Sequence, residues 1–208
     1  HNRCRRQRQM CIRDRYDMSV MPKYTLPAVA YHEGIPGHHM QVSIAQELEN
    51  VPQFRRAARY TAYAEGWGLY AELLPKEMGL YGDFYMDFGR LSAELWRACR
   101  LVVDTAIHDK GWSRERAINY LTDNSPTDRE KAIKAVERYL VLPSQATAYK
   151  IGMSKILQLR QQAKHKLGDE FDVSEFHDMV LMNGALPLNI LEEIITQWID
   201  QRLIAAES

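Results

Sequence analysis

The chain has 208 residues, with 27 basic and 27 acidic side chains, and 46% of its residues are hydrophobic. These values are typical of one soluble globular domain that is long enough to bury a core. No apolar run reaches the roughly 18 residues of a membrane span, and no apolar stretch near the start resembles a signal peptide, so we expect neither feature.

Residues 1–15, HNRCRRQRQMCIRDR, form a basic arm with six arginines and one aspartate. A nucleic-acid-binding arm has this composition. However, MCIRD is also what a transposon end used in sequencing libraries encodes, and we interpret the arm as non-native read-through. Without it, 21 basic and 26 acidic residues remain, a net charge of about −5 that predicts no nucleic-acid partner. Cys99 is then the only cysteine, so no intrachain disulfide is expected.

From residue 16 onward the sequence predicts helices joined by short turns, because no segment alternates as a strand does. Residues 16–27 contain two prolines and predict an extended lead-in. The predicted helices cover 26–49 (disturbed at 34–37), 52–78, 83–110, 113–124, 125–140, 143–168, 172–184 and 187–203. The expected fold is therefore a single all-α, multi-helix domain.

Several helix ends have recognisable caps. Ser113 and Ser125 are predicted N-caps, with Pro126 at the first helical position of the second. Asp172 and Glu175 have the spacing of a capping box, and Gly111 and Gly168 follow predicted C-termini.

The segment YHEGIPGHHMQ, residues 31–41, holds three histidines and one glutamate. His32 and Glu33 begin the zinc-protease signature H-E-x-x-H, in which histidines four apart share one helix face and the glutamate takes a proton from water. The position of the second histidine is occupied by Pro36, so the candidates are His38 and His39. In a straight helix His38 would lie about 120° around the axis from His32, and His39 about 10.5 Å along it.

The GIPG segment argues against a straight helix. Gly34, Pro36 and Gly37 disfavour a helix interior, and we predict a bulge there that returns one of the later histidines to the face of His32. The alternative is a Gly-Pro turn that carries surface histidines.

The next predicted helix, TAYAEGWGLYAELL, carries two carboxylates on one face. Glu65 and Glu72 are seven positions apart and have mainly apolar and aromatic neighbours. Because an unpaired buried charge is costly, these carboxylates need a partner. A metal ion is one candidate, and salt bridges to Arg55 or Arg59 are the other.

Together these residues resemble a known group of enzymes. His32-Glu33, the Pro-Gly-His-His run and Glu65-Gly-Trp resemble the glutamate-type zincin metallopeptidases (gluzincins). The segments HEGIPGHHMQ, EGWGLYAE, VDTAIHDKGWSRERAINYL and FHDMVLMNGALPLNILEE resemble a bacterial family catalogued as domain of unknown function 885. The resemblance covers nearly all of residues 16–208 and implies a helical zincin-like fold. Because members of that family are much longer, we expect this chain to be their C-terminal catalytic part and the N-terminal part to complete it. Many relatives are exported.

The resemblance also implies roles for individual residues. His32 and Glu65 would be zinc ligands and Glu33 the general base. The clan commonly places glycine before the second histidine ligand, which favours His38 over His39 and leaves His39 to face the substrate. Glu72 either orients a ligand or forms an ordinary salt bridge.

Arg100, Asp104 and His108 form a polar stripe at i, i+4 and i+8 on an otherwise apolar helix. In a site, Arg100 would bind a substrate carboxylate and His108 would steady the oxyanion. The alternative is an exposed, salt-bridged face.

The segment PSQATAYKIG brings Gln145, Tyr149 and Lys150 near one another. Peptide hydrolysis needs a donor for the developing oxyanion, and Tyr149 is the candidate. Gln145 and Lys150 would support the site or contact the substrate. The alternative is a core tyrosine with a satisfied hydroxyl.

The sequence therefore predicts a zinc-dependent hydrolase, most directly a metallopeptidase that cleaves a peptide or another small amide with a zinc-activated water. One alternative is a zinc hydrolase of a non-peptide amide or ester. The other is a non-enzymatic helical domain that binds a protein partner and whose histidines are incidental.

Overall fold

The structure, a computed structural model, describes residues 22–49 and 51–206, so the basic arm lies outside the described residues. Within those ranges the regular structure is entirely helical, which confirms the predicted all-α class. The α-helices are α1 (Leu26–Glu33), α2 (His38–Glu47), α3 (Gln53–Ala57), α4 (Thr61–Ala71), α5 (Leu74–Glu77), α6 (Phe84–His108), α7 (Arg114–Asn124), α8 (Arg129–Val141), α9 (Ala148–Leu167), α10 (Val173–Leu181) and α11 (Leu188–Ala206). In the part of the chain that these ranges cover, none of the helices has the length and apolarity that a bilayer crossing requires.

The predicted helix 26–49 is two helices rather than one helix with a bulge. Residues 34–37 separate α1 from α2 completely, and the Ile35–Pro36 peptide bond is cis. Gly37 is required at the turn, because a Cβ there would lie 1.9 Å from the carbonyl oxygen of His32. The indole Nε1 of Trp67 donates to the carbonyl of Pro36 at 2.9 Å and fixes the turn against α4.

Other predicted boundaries also shift. The predicted helix 52–78 is divided into α3, α4 and α5. The lead-in, predicted as extended, contains a 3₁₀ turn at Lys23–Thr25, and a second 3₁₀ turn at Gln145–Thr147 precedes α9.

The caps of α7 and α10 are as predicted, whereas the cap of α8 is not. Ser113 accepts a hydrogen bond from the amide of Arg116, and Asp172 accepts from the amides of Ser174 and Glu175. The prediction that Ser125 caps α8 is wrong, because Ser125 is the C-cap residue of α7, where its hydroxyl donates to the Leu121 carbonyl. Asp128 caps α8 instead, because its carboxylate accepts a hydrogen bond from the amide of Lys131.

Two hydrophobic cores hold the helices together. The first joins α4, α9, α10 and α11, and its fully buried side chains include Trp67, Tyr70, Ile156, Phe176, Leu191 and Ile195. The second joins α6, α7 and α8, and its buried members include Val103, Ile118, Leu121, Val136 and Tyr139. Residues from α1, α2, α4, α6 and α9 lie close to one another around His32 and Tyr149.

Helices α4 and α9 approach each other very closely. A Cβ on Gly66 would lie 2.4 Å from the Cα of Gly152, and one on Gly152 would lie 1.9 Å from the carbonyl oxygen of Ala62. Both glycines are therefore needed for backbone-to-backbone packing. This contact fixes α4, which carries Glu65 and ends just before Glu72, against α9, which carries Tyr149.

Candidate metal centre

Three potential metal ligands converge between α1, α2 and α4. One donor atom from each of His32, His38 and Glu65 lies within 4.8 Å of the other two. Glu65 Oε2 is 3.7 Å from His32 Nε2 and 3.3 Å from His38 Nε2. A tetrahedral zinc site with bonds of about 2.1 Å has ligand atoms roughly 3.4 Å apart. The residues therefore fit a zinc ion in donor type, and the two separations from Glu65 lie close to the tetrahedral value.

The broken helix explains how histidines six residues apart reach one point. His32 lies in the last turn of α1 and His38 is the first residue of α2, so the intervening turn reorients the second ring. Their ring centroids are 4.7 Å apart with the planes nearly perpendicular. His39, the other candidate, is exposed and does not belong to the converging group.

Gly68 makes room for both imidazoles. A Cβ at this position would lie 2.8 Å from His32 Cε1 and 2.9 Å from His38 Cε1. Any larger residue would push the two rings away from Glu65, which is three residues earlier on the same helix. The sequence analysis did not predict this role of Gly68. A glycine about one helical turn after the candidate ligand Glu65 could have indicated that space is needed there.

Glu72 orients His32 from behind. Its Oε1 accepts a hydrogen bond from His32 Nδ1 at 2.8 Å, and both side chains are buried. A proton on Nδ1 leaves the lone pair of Nε2 directed toward Glu65 and the proposed metal position. This carboxylate–histidine pair is the usual support of a histidine zinc ligand. The structure therefore places Glu72 where the ligand-orienting interpretation requires it.

The cluster attracts positive charge. Burial by itself would lower the pKa of His32, but hydrogen bonds to Glu65 and Glu72 outweigh it and raise the pKa to about 9. Burial acts to raise the pKa of Glu65, yet hydrogen bonds from His32, His38 and Tyr149 hold it well below its usual range. The electrostatics that bind a proton here also favour a cation, which would have to displace that proton.

Tyr149 and Gln145 lie beside the three ligands. The Tyr149 ring stacks on His32 with centroids 6.2 Å apart, and the Gln145 amide donates to Glu65 at 3.4 Å and to the Tyr149 hydroxyl at 3.3 Å. The guanidinium groups of Arg97 and Arg100 each lie 4.4 Å from the Tyr149 ring centroid. Tyr149 is thus a phenol with two cations against its ring, next to the candidate metal ligands.

Glu33, the predicted base, is exposed at the end of α1. It borders a cavity of about 340 Å³ that His32 and Glu72 also line. Its carboxylate can therefore meet a molecule that enters the cavity toward His32.

Other predicted site residues have structural contacts. The Lys150 ammonium pairs with Glu94 at 2.5 Å rather than with the metal cluster. Arg100 donates to Gln145 at 3.3 Å and so reaches the cluster only through that amide.

The expected stripe on α6 is not an exposed, salt-bridged face. Arg100 and Asp104 are buried, and their side chains turn to different partners. Asp104 accepts from the amide of Ser144, which has a positive φ of 68°, and His108 Nε2 lies 2.9 Å from the Tyr139 carbonyl. These contacts fasten α6 to the end of α8 and to the turn before α9. His108 is thus held at a backbone carbonyl, and its oxyanion role stays a prediction.

Comparisons with known proteins agree with the sequence and the fold. The family described as "Bacterial protein of unknown function (DUF885)" matches residues 3–195. A "putative lipoprotein" from Colwellia psychrerythraea is similar in structure, with a TM-score of 0.87, 48% identity, and coverage of 90% of this chain and 32% of that one. A "putative lipoprotein of unknown function" from Shewanella oneidensis has a TM-score of 0.78 and 28% identity, with coverage of 85% and 32%. No curated protein matches.

The chain spans about a third of the length of both solved relatives. Because the family match extends over nearly the whole sequence, the chain belongs to the DUF885 family.

Proposed function

We propose that this member of the DUF885 family is a zinc-dependent hydrolase of the zincin type, most directly a metallopeptidase. The convergence of His32, His38 and Glu65 at zinc-ligand separations is the observation that carries the proposal. Two nitrogen ligands and one carboxylate are a ligand set found in catalytic zinc sites, which keep a fourth position for water or substrate.

Each neighbouring residue has a chemical task under this proposal. A zinc ion held by the three ligands supplies Lewis-acid polarisation and makes water a better nucleophile. Glu33 accepts the proton of the attacking water on a carboxylate oxygen and returns it to the leaving amine. The Tyr149 hydroxyl donates to the developing oxyanion. Glu33 follows His32 in the chain and lines the same cavity, and the Tyr149 ring stacks on the His32 ring.

Substitution of Glu33 by glutamine tests the base. Glu33→Gln removes the proton acceptor but none of the three ligands, so zinc content should stay at one ion per chain. Hydrolysis of a mixed peptide library should fall by about 10²- to 10⁴-fold. Glu47→Gln, which removes a charge from the exposed end of α2, is the matched control and should retain activity. An active Glu33→Gln protein would contradict the role of Glu33.

Zinc analysis and a substrate screen separate the alternatives. Protein purified without chelator that neither contains zinc nor takes it up on titration would favour a helical partner-binding domain. Zinc-loaded protein that cleaves esters or non-peptide amides but no peptide would favour the other hydrolase class.

A further inference from the structure

The cavity beside the candidate metal centre is lined by groups of both charges. His32, Glu33 and Glu72 line it together with the cations Arg97 and Lys131. The remaining lining comes from the turn before α1, from Val29 of α1, from α6 and from the segment between α7 and α8. A molecule that fills this cavity therefore contacts His32 and the two cations.

Arg97 forms no contact-distance ion pair with a carboxylate of the described residues, although Glu72 and Glu65 lie near enough to interact with it electrostatically. Its Nε is buried without a hydrogen-bond partner there, and its guanidinium rests on the Tyr149 ring at 4.4 Å. By contrast Arg90, two turns earlier on α6, pairs with both Asp87 and Glu94. Arg97 is half-buried, and its enclosed Nε carries a desolvation cost that an incoming anion would relieve.

Lys131 provides a second cation at the same cavity. Its ammonium lies 5.3 Å from the Trp96 ring centroid and makes no ion pair with a described carboxylate. The nearby Asp128 also lines the cavity, but its Oδ1 accepts the amide of Lys131 as the cap of α8. Lys131 is exposed, whereas Arg97 is the more enclosed of the two, so Arg97 is expected to provide most of the binding.

We propose that Arg97, assisted by Lys131, binds the free carboxylate of the substrate, so that the substrates are short peptides cleaved near their C-terminus. The planar guanidinium presents paired donors that match a carboxylate, and a cavity of about 340 Å³ suits a chain end rather than a folded loop. The reaction adds one water across the C–N bond and releases an acyl carboxylate and an amine that keeps the original C-terminal carboxylate. This inference rests on the proposed hydrolase function.

The test compares two N-dansylated tripeptide pools that differ only in ending as acids or as carboxamides. Binding to the zinc-loaded Glu33→Gln protein is measured by fluorescence anisotropy, so that no turnover intervenes. The acid pool should bind at least about tenfold more tightly than the amide pool, as expected for a hydrogen-bonded charge pair. Arg97→Gln should remove this preference, and Lys131→Met should reduce it by a smaller, salt-sensitive factor.

Arg138→Gln is the matched control, because Arg138 is an exposed cation on α8 that does not line the cavity. It should leave both affinities unchanged. If circular dichroism shows that Arg97→Gln does not fold, Arg97→Lys is used in its place. This variant keeps the charge but loses the paired donors, so it should weaken binding of the acid pool alone.

Equal affinity for the two pools, binding of neither pool, or an Arg97 variant with the original preference would overturn the inference. Zinc-loaded wild-type protein that hydrolyses both pools at equal rates would overturn it as well but leave the hydrolase function standing. Protein that takes up no zinc on titration but still prefers acids through Arg97 would support the carboxylate site and contradict the hydrolase function.

Discussion

Replacing Gly68 with alanine should weaken zinc binding without unfolding the protein. In a helix interior, glycine-to-alanine substitution normally stabilises by about 1 kcal/mol. Here the new Cβ would lie 2.8–2.9 Å from atoms of His32 and His38, and such overpacking costs about 1–3 kcal/mol. The net change in the free energy of unfolding of the metal-free protein is therefore a loss of about 0–2 kcal/mol.

The metal site should respond more strongly than overall stability does. The His32 ring is held at Nδ1 by Glu72 and faces Tyr149, so the added methyl group moves the rings away from Glu65 rather than into free space. Disturbed ligand orientation typically costs 10- to 100-fold in metal affinity, and we expect a loss of about that size.

Competition with a chromophoric zinc chelator measures this affinity, and urea denaturation of the metal-free protein measures stability. Gly82→Ala is the control, because a Cβ there would meet only Met86 Sδ at 3.9 Å. It should leave zinc affinity unchanged. A Gly68→Ala protein that is more stable than the parent and binds zinc as tightly would refute the proposed packing of the two rings.

Glu72→Gln should also lower zinc affinity by about 10- to 100-fold, because the charge that holds His32 Nδ1 is lost. The control Glu47→Gln should leave zinc affinity unchanged. Equal affinities of Glu72→Gln and the parent in the chelator assay would show that Glu72 does not orient the ligand. His177 should make the protein less stable as the pH falls. Burial, helped by Arg160, lowers its pKa to about 4, below the unfolded value of 6.5, so below pH 6.5 the unfolded chain takes up a proton that the folded chain does not. Between pH 7 and pH 5 this group should remove about 2 kcal/mol. Between these two pH values, the free energy of unfolding of the His177→Gln variant, measured by urea denaturation, should fall by about 2 kcal/mol less than that of the parent. A variant with the parental pH dependence would contradict the assignment.

Local sequence was sufficient to predict most of the helices. The all-α class and the caps at Ser113 and Asp172 follow from periodicity and from side-chain chemistry that acts within one turn. The error at Ser125 has a local cause as well. Two residues with capping chemistry, Ser125 and Asp128, stand three positions apart, and the preceding helix uses the first of them.

Longer-range contacts decided where the predicted long helices divide. The GIPG segment predicted a disturbance, but the full separation of α1 from α2 is fixed by the bond from Trp67 to the Pro36 carbonyl and by the contact of Gly37 with His32. These contacts join residues that are up to 31 positions apart in the chain. A pattern read over a dozen residues does not contain that information.

The sequence by itself supplied the chemistry of the candidate site: His32, His38 and Glu65 as potential ligands, Glu33 beside them, and Glu72 on the face of Glu65. The family resemblance favoured His38 over His39, and the tertiary structure brings His38 together with His32 and Glu65; only the tertiary structure assigned Glu72 to His32. It also revealed Gly68 and Arg97, neither of which the sequence pattern had singled out. The physical reason is that residue type fixes which atoms can donate or accept. Which of these atoms meet depends on the close packing of α4 on α9 and on the turn that separates α1 from α2.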